Sequence, residues 1–357
     1  MGQGDPLAEA EALLAENRAA DAASLLKTRI AAGRGGLLAR LLFVRALLAA
    51  GDMAGALDAA REAANLNPGV AIAAVTLGEA LRRSGALPTA IGEFQRALRL
   101  DPHSPGARLH LGEAWLDAGE PEKALEAFAA IDADAPGLAE RIEAAEAMRR
   151  RPRSDAGYVR HLFDQFSIDY DSRMRGQLSY QAPEVLRGLA DFVMPERREL
   201  AILDLGCGTG LGGEAFRDLA ARIDGVDLSP QMIAKARARG IYDSLLVGDI
   251  ETALADGGTR YDLILAADTL VYLGDLSRVL AGVAQRLKAD GFFLFTVERS
   301  DGAGFELGPK RRWRHAESYL REQAKAQGLD VAGVLEAAPR TEAGIAVPGL
   351  AVALSRG

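Results

Sequence analysis

Apolar residues in the first 150 positions recur three and four apart, the spacing that keeps one face of a helix dry, and they predict a run of amphipathic helices. After position 199 the pattern changes to short continuous apolar runs at 201–205, 222–226, 244–247, 261–266 and 292–297, with further strands near 330–335 and 348–354. Helix-spaced segments lie between them. Strands alternating with helices predict a mostly parallel sheet covered on both faces, with any ligand at the carboxyl ends of the strands. The two patterns meet at Arg-Arg-Arg-Pro-Arg-Ser, residues 149–154, which divides the chain into a helical domain 1–150, a basic linker 151–157 and an α/β domain 158–357. The linker is short and has no interleaved aromatics, so it is read as a solvated hinge rather than a nucleic-acid contact.

A period of 34 runs through the helical half. Gly51, Gly85 and Gly119 share it, as do Ala56, Ala90 and Ala124, and Pro68, Pro102 and Pro136. Leu77 and Leu111, Gly78 and Gly112, and Phe94 and Phe128 fall in the same frame. Each position has a task in a helix-turn-helix unit. The glycines end a first helix in left-handed geometry, the alanines let two helices approach, and the residue before each proline is pushed out of helical geometry. These positions resemble the tetratricopeptide repeat family, in frames 37–70, 71–104 and 105–138. A degenerate frame spans 3–36, with Arg34 where proline is expected, and a capping helix is expected at 137–151. The resemblance implies an all-α solenoid whose groove takes a protein or peptide; a domain that only self-associates or buttresses its neighbour is the alternative. With 16 basic and 21 acidic residues in 1–150, a neutral or basic segment suits that groove better than an acidic one.

Charge and cysteine content narrow the classes. The net charge of −8 argues against a protein that tracks nucleic-acid phosphates. The one cysteine, Cys207, excludes an internal disulfide, and no Cys/His spacing resembles a zinc site, so no metal is expected. Neither a basic-then-apolar leader nor an apolar run long enough for a membrane span is present, which predicts a soluble protein of a reducing, cytoplasmic compartment.

The candidate chemistry follows the first predicted strand, Leu203-Asp204-Leu205-Gly206-Cys207-Gly208-Thr209-Gly210. Alternate glycines let the backbone turn tightly and approach a ligand. The second strand ends at Asp227, where a carboxylate can accept from both hydroxyls of a ribose. The spacing is G-x-G-x-G rather than the G-x-G-x-x-G of pyrophosphate binders, and Asp204 suits an ammonium group, not a pyrophosphate. Asp249, after the third strand, can accept from an adenine amino group; capping the following helix is its alternative role. An amine, a ribose diol and an adenine together describe S-adenosylmethionine.

LDLGCGTG at 203–210, VDLSPQMIAKA at 226–236 and GDI at 248–250 resemble the class I S-adenosylmethionine-dependent methyltransferases, and the repeats add a resemblance to bacterial tetratricopeptide-repeat members. The resemblance implies a Rossmann-like core at 200–357 with a seven-stranded, mostly parallel sheet. Gly206, Gly208 and Gly210 would wrap the methionine portion, and Asp227 would hold the ribose. Leu228 and Met232 would pack on the adenine, with Asp249 and Ile250 at its edge. Cys207 would be a packing residue of the loop rather than a nucleophile. Tyr158, Leu162, Phe166 and Tyr170 form an aromatic face in 158–199 that is either ordinary core or a lid, with Tyr170 placed at the cofactor.

Ala266 and the residues after it would face the transferred methyl group, making Asp268 and Tyr272 candidates to position an acceptor. His315, at the end of Lys310-Arg311-Arg312-Trp313-Arg314-His315, is a candidate general base or a helix-start residue. Asp268-Thr269-Leu270 is not the Asn/Asp-Pro-Pro-Tyr motif used on amide or base nitrogens. The expected activity is methyl transfer to an oxygen or nitrogen of a small acid or protein-attached group, leaving S-adenosylhomocysteine. The alternative is a cofactor-binding scaffold or assembly protein, whose site is structural or serves another reaction such as hydroxylation.

Overall fold

The computed structural model describes residues 5–176, 179–308, 311–342 and 344–357, and the chain divides into two compact units, Met1–Arg150 and Arg151–Gly357. No helix of the described residues is long and apolar enough to cross a membrane.

In the first unit four helix pairs, Pro6–Ala15 with Ala19–Arg29, Leu37–Ala49 with Met53–Leu66, Ala71–Arg83 with Leu87–Leu100, and Pro105–Asp117 with Pro121–Phe128, are followed by Leu138–Arg150. Gly51, Gly85 and Gly119 have φ of 80°, 84° and 67°, and Asn67 and Asp101 cap helices just before their prolines. The degenerate frame still forms a pair, although its residues 3 and 4 lie outside the described residues. In the last frame the second helix stops at Phe128, well short of Pro136.

Packing between paired helices explains the Gly/Phe positions. A Cβ on Gly78 would sit 2.5 Å from the Phe94 ring, and one on Gly112 would sit 2.1 Å from Phe128. One frame earlier the same two places hold Val44 and Ala60, so volume lost on one helix is regained on the other. Gly112→Val should therefore destabilise the repeats by about 1–3 kcal/mol through overpacking. Phe128→Ala should cost about 3–5 kcal/mol through the cavity it leaves. The double variant should cost clearly less than the two losses together, which a double-mutant cycle by chemical denaturation measures.

The second unit is built on strands β1 Leu200–Leu205, β2 Ala220–Asp227, β3 Ser244–Val247, β4 Tyr261–Ala266, β5 Leu287–Arg299, β6 Phe305–Leu307, β7 Trp313–His315, β8 Asp330–Ala337, β9 Thr341–Glu342, β10 Ile345–Ala346 and β11 Gly349–Ser355. The main sheet runs β3-β2-β1-β4-β5-β11-β8, parallel from β3 to β5, with β11 antiparallel to both neighbours. Seven strands form this path, as expected, but β6 and β7 extend the sheet beside the end of β5. Central strands read as continuous apolar runs because both faces are covered. Leu203, Ile264 and Phe293 face one layer with Leu280 and Leu320, while Ile202, Leu265 and Leu294 face the other with Leu186 and Phe216.

Two expectations change. The basic segment is not a solvated hinge, because the Pro152 carbonyl accepts from Gly274 N at 2.8 Å and Ser154 N donates to the Tyr272 carbonyl at 2.8 Å. Capped by Asp155, a helix already begins at Ala156, inside the expected linker. The segment before His315 is the short strand β7, and the next helix starts at Glu317. Lys310 of the basic run lies outside the described residues.

Candidate functional site

The parallel order reverses direction from β1 between β2 and β4, and a cavity opens there, beyond the carboxyl ends of the strands. Gly206 and Gly208 line it with φ of 69° and 54°, conformations costly for any residue with a Cβ. Gly206 also packs against Thr269, where a Cβ would lie 2.4 Å from that side chain, whereas a Cβ on Gly208 would meet open space. Gly210 does not line this cavity; with φ of 99° it begins the helix Leu211–Phe216 against Arg239 and Tyr242.

Asp227 lies at the end of β2 with Oδ2 accepting from Gly208 N at 2.9 Å and Oδ1 from Ser229 N at 2.8 Å. The carboxylate is thereby locked to the glycine turn. Burial pushes its carboxyl above the ordinary range, and each oxygen keeps a second lone pair for a hydroxyl donor. Leu228, Asp249 and Ile250 line the same cavity. Met232 is fully buried beneath it and does not line it; the apolar contact on that side comes from Leu228.

Asp249 caps the helix Ile250–Asp256 through Oδ1, which accepts from Glu251 N at 2.9 Å, so the capping role is present. Its Oδ2 meets Arg153 Nη2 at 2.5 Å. The carboxylate is already shared between cap and guanidinium.

A second lobe continues past Tyr170, Gly206 and Gly208 to Asp204, Cys207 and Tyr180. Asp204 is 1% exposed and accepts from the Tyr242 hydroxyl at 2.7 Å; burial pushes its carboxyl up to about 6. Burial likewise pushes the Cys207 thiol up, which keeps it protonated and unreactive.

The wall opposite the sheet is the helix Ala156–Phe166, a tight turn at 167–169 and the helix Tyr170–Gly176. Val159, Phe163 and Tyr170 line the cavity, and Phe163 sits edge-on to both Tyr170 and Tyr272, with centroids 6.2 and 5.6 Å apart. Phe166, expected on this face, is instead 36% exposed at the end of its helix, and the turn at 167–169 then breaks the helical phase between it and Tyr170. The wall is tied down by Asp164, which accepts from the Ser229 hydroxyl at 2.5 Å, and by Asp171, which accepts from Thr209 Oγ1 at 2.5 Å and pairs with Arg239.

At the end of β4, Ala266 is buried and its neighbours Ala267, Asp268 and Thr269 line the cavity with Tyr272. Asp268 has φ of 54°, a left-handed backbone rare outside glycine. Its N–H donates to Thr296 Oγ1 at 2.8 Å and its Oδ1 meets Arg340 Nη1 at 2.5 Å. Arg340 is 1% exposed and also pairs with Glu298 and Glu342. Burial pushes the Asp268 carboxyl and the Tyr170 and Tyr272 hydroxyls upward. His315 does not join them. It is fully buried behind Phe305 and Tyr319, donates from Nε2 to the Gly274 carbonyl at 3.0 Å, and burial lowers its pKa to about 4. A neutral ring enclosed in this way is a packing residue rather than a base facing the cavity.

Arg153, Asp164, Asp171 and Arg340 are the site residues that sequence reasoning missed. Asp164 and Asp171 lie within the aromatic segment and carry the only local signal. Arg340 carries none, since its partners Glu298 and Asp268 are 42 and 72 residues away.

In the repeats, Glu79, His110 and Glu113 come together with ligand atoms within 4.8 Å, but Arg82 and Arg141 already occupy the carboxylates, at 3.0 and 2.6 Å.

A parallel sheet closed by a reversed strand, with a glycine turn at β1 and an acid at β2, defines the Rossmann-like fold of class I methyltransferases. Residues 203–295 match the family described as methyltransferase domain, and residues 41–105 and 81–149 match two families described as tetratricopeptide repeat. The chain thus joins tetratricopeptide repeats to a methyltransferase domain of class I type. It is 30% identical over 158 residues to malonyl-[acyl-carrier protein] O-methyltransferase of Enterobacter lignolyticus (strain SCF1), across 42% of this chain and 61% of that protein. It is 34% identical over 105 residues to ubiquinone biosynthesis O-methyltransferase of Bartonella quintana (strain Toulouse), across 28% and 42%. The chain therefore spans less than two thirds of either relative. Magnesium protoporphyrin IX methyltransferase from Synechocystis PCC 6803, solved with bound S-adenosylhomocysteine, aligns with a TM-score of 0.46 at 17% identity, over 57% of this chain and 100% of that one.

Proposed function

We propose that the second unit is an S-adenosylmethionine-dependent methyltransferase acting on an oxygen or nitrogen of a small acid or protein-attached group, and that the repeats recruit or orient a partner. One observation carries the reading: the Gly206–Gly208 turn and the Asp227 carboxylate are locked together at one cavity wall. The residues fit the cofactor. Gly208 leaves space at the turn, Asp227 offers acceptors to a ribose, Leu228 offers an apolar face, and Asp204 lies at the far end for an ammonium group. When bound, the cofactor supplies an electrophilic methyl group. The chain's part is to hold the acceptor in line and exclude water, which the Phe163, Tyr170 and Tyr272 wall is suited to do.

Among the described lining residues at the end of β4 and on the facing wall no carboxylate or ring stands ready as a base: Asp268 is held by Arg340 and the Tyr170 and Tyr272 hydroxyls are pushed up by burial. An acceptor that arrives ionised needs no base. A carboxylate is therefore the acceptor the pocket supports best, and transfer to oxygen agrees with the printed activities of the two relatives. The same lack of a base is what favours the second reading, a scaffold that binds the cofactor without turnover. Purified protein incubated with S-adenosylmethionine and a cell extract separates them: release of S-adenosylhomocysteine supports the enzyme, and binding without release supports the scaffold. For the repeats, the acidic balance of 16 against 21 charges supports a neutral or basic partner segment.

The buried acid at the far lobe makes affinity depend on pH. Its folded pKa of about 6 lies above the ordinary carboxylate value, so ionising Asp204 costs the free protein stability as pH rises through that window. An ammonium group beside it offsets that cost and binds the ionised form. Calorimetric affinity for S-adenosylhomocysteine should rise several-fold from pH 5 to 7 and level off above it. Asp204→Asn should flatten the profile; a wild-type profile already flat overturns the ammonium contact.

A further inference from the structure

The chain enters the second unit along the rim of the cofactor cavity. Arg150 ends the last repeat helix, and within two residues the Pro152 carbonyl accepts from Gly274 N at 2.8 Å and Asp275 N at 3.1 Å. Ser154 N then donates to the Tyr272 carbonyl at 2.8 Å and its hydroxyl to the Arg311 carbonyl at 3.1 Å. All of these bonds fall on one side, the segments after β4 and before β7. On the other side, after β3, Arg153 reaches across with both ends of its guanidinium: Nη2 to Asp249 Oδ2 and Nη1 to Glu251 Oε2, each at 2.5 Å. Arg153, Ser154, Asp249, Ile250, Tyr272 and Leu273 all line the cavity. The three charged side chains are only 15–27% exposed, so the fork is partly shielded from water and stronger than a surface pair.

We propose that Arg153 is a cofactor-positioning residue, which latches the strap 151–155 across the adenine end of the cavity by bridging Asp249 and Glu251. The inference rests on the cofactor reading above. Arg153 acts through Asp249: it fixes Oδ2 while the helix N–H groups fix Oδ1, so the carboxylate presents one orientation to the adenine edge and the strap completes the wall beside it. Without the guanidinium the strap keeps only its bonds to one side. Two carboxylates 2 residues apart then lose the guanidinium that pairs with both.

The test titrates the full chain with S-adenosylhomocysteine by calorimetry, with amide hydrogen exchange read in parallel. Arg153→Ala should weaken binding by about tenfold, and Arg153→Lys, which keeps charge but loses the fork, should recover part of it. In wild type the ligand should slow exchange at the amides of Ser154, Gly274 and Asp275, and in Arg153→Ala it should do so much less. A merely structural role would shift the unfolding temperature without changing this ligand-dependent protection. Wild-type binding with Arg153→Ala within twofold and equal protection overturns the latch alone. Failure of wild type to bind overturns the cofactor reading and the latch with it. Should Arg153→Ala not fold, Arg153→Lys decides: a several-fold loss supports the latch and unchanged affinity overturns it.

Discussion

Asp227→Ala should abolish measurable binding of S-adenosylmethionine and S-adenosylhomocysteine while leaving the protein folded. The expectation follows from what the carboxylate does on both sides. Toward the ligand it offers two charge-assisted hydrogen bonds to ribose hydroxyls, each worth roughly 1.5–3 kcal/mol, so their loss amounts to about a hundredfold or more in affinity. Toward the protein it accepts from Gly208 N and Ser229 N, so the variant also loosens the glycine turn. Calorimetry on matched preparations, with unfolding temperature as the folding control, makes the measurement. Asp227→Asn, which keeps one acceptor, should fall between the two. Wild-type binding with an alanine variant within threefold would show that the ribose is held elsewhere; no wild-type binding would remove the methyltransferase reading itself.

The second large effect is on stability. Arg340→Ala should lower the stability of the second unit by about 3–5 kcal/mol, because breaking a buried ion pair from one side leaves uncompensated charge. Here the Asp268 side chain, 10% exposed, loses its ion pair, while Glu298, 5% exposed, keeps only longer contacts with Arg312 at 3.8 Å and Arg314 at 3.6 Å. Asp268 would also lose the contact that helps hold its left-handed backbone, which costs on the order of 1–3 kcal/mol to maintain. Chemical denaturation followed by Trp313 fluorescence in a Trp115→Phe background isolates the second unit, since the chain has 2 tryptophans, one in each. Arg321→Ala, which breaks an ion pair whose partners are 52% and 45% exposed, is the control and should change stability by less than about 0.5 kcal/mol. A loss at Arg340 no larger than the control would mean that the buried charges relax or hydrate when exposed to water.

Much of the cofactor end was legible because it is local. Gly206, Gly208 and Asp227 lie at strand ends that the apolar runs place, and the topology then brings them into one cavity. Met232 and Phe166 show the limit of reading by spacing: each has the right residue type, but helix phase turns one into the core and the other toward solvent. Asp249 shows another. Its position after β3 suits both an adenine contact and a helix cap, and one carboxylate takes the cap and an ion pair at once. The basic run marks His315 as a candidate base, yet β7 buries it, a placement that depends on β6 and β5 rather than on its own segment.

What the sequence determined by itself is what short-range periodicity encodes: the 34-residue helical repeat, the alternation of strand and helix, and the glycine turn with its acids. Interactions within a few residues, or within one repeat, suffice for each. The docking of the 151–155 strap, the pairing of Arg340 with Asp268 and Glu298, and the burial that pushes Asp204 to about 6 were decided only by the tertiary structure. Each depends on groups far apart in the chain sharing a place where water is excluded, and only the packed sheet with its covering helices creates such a place.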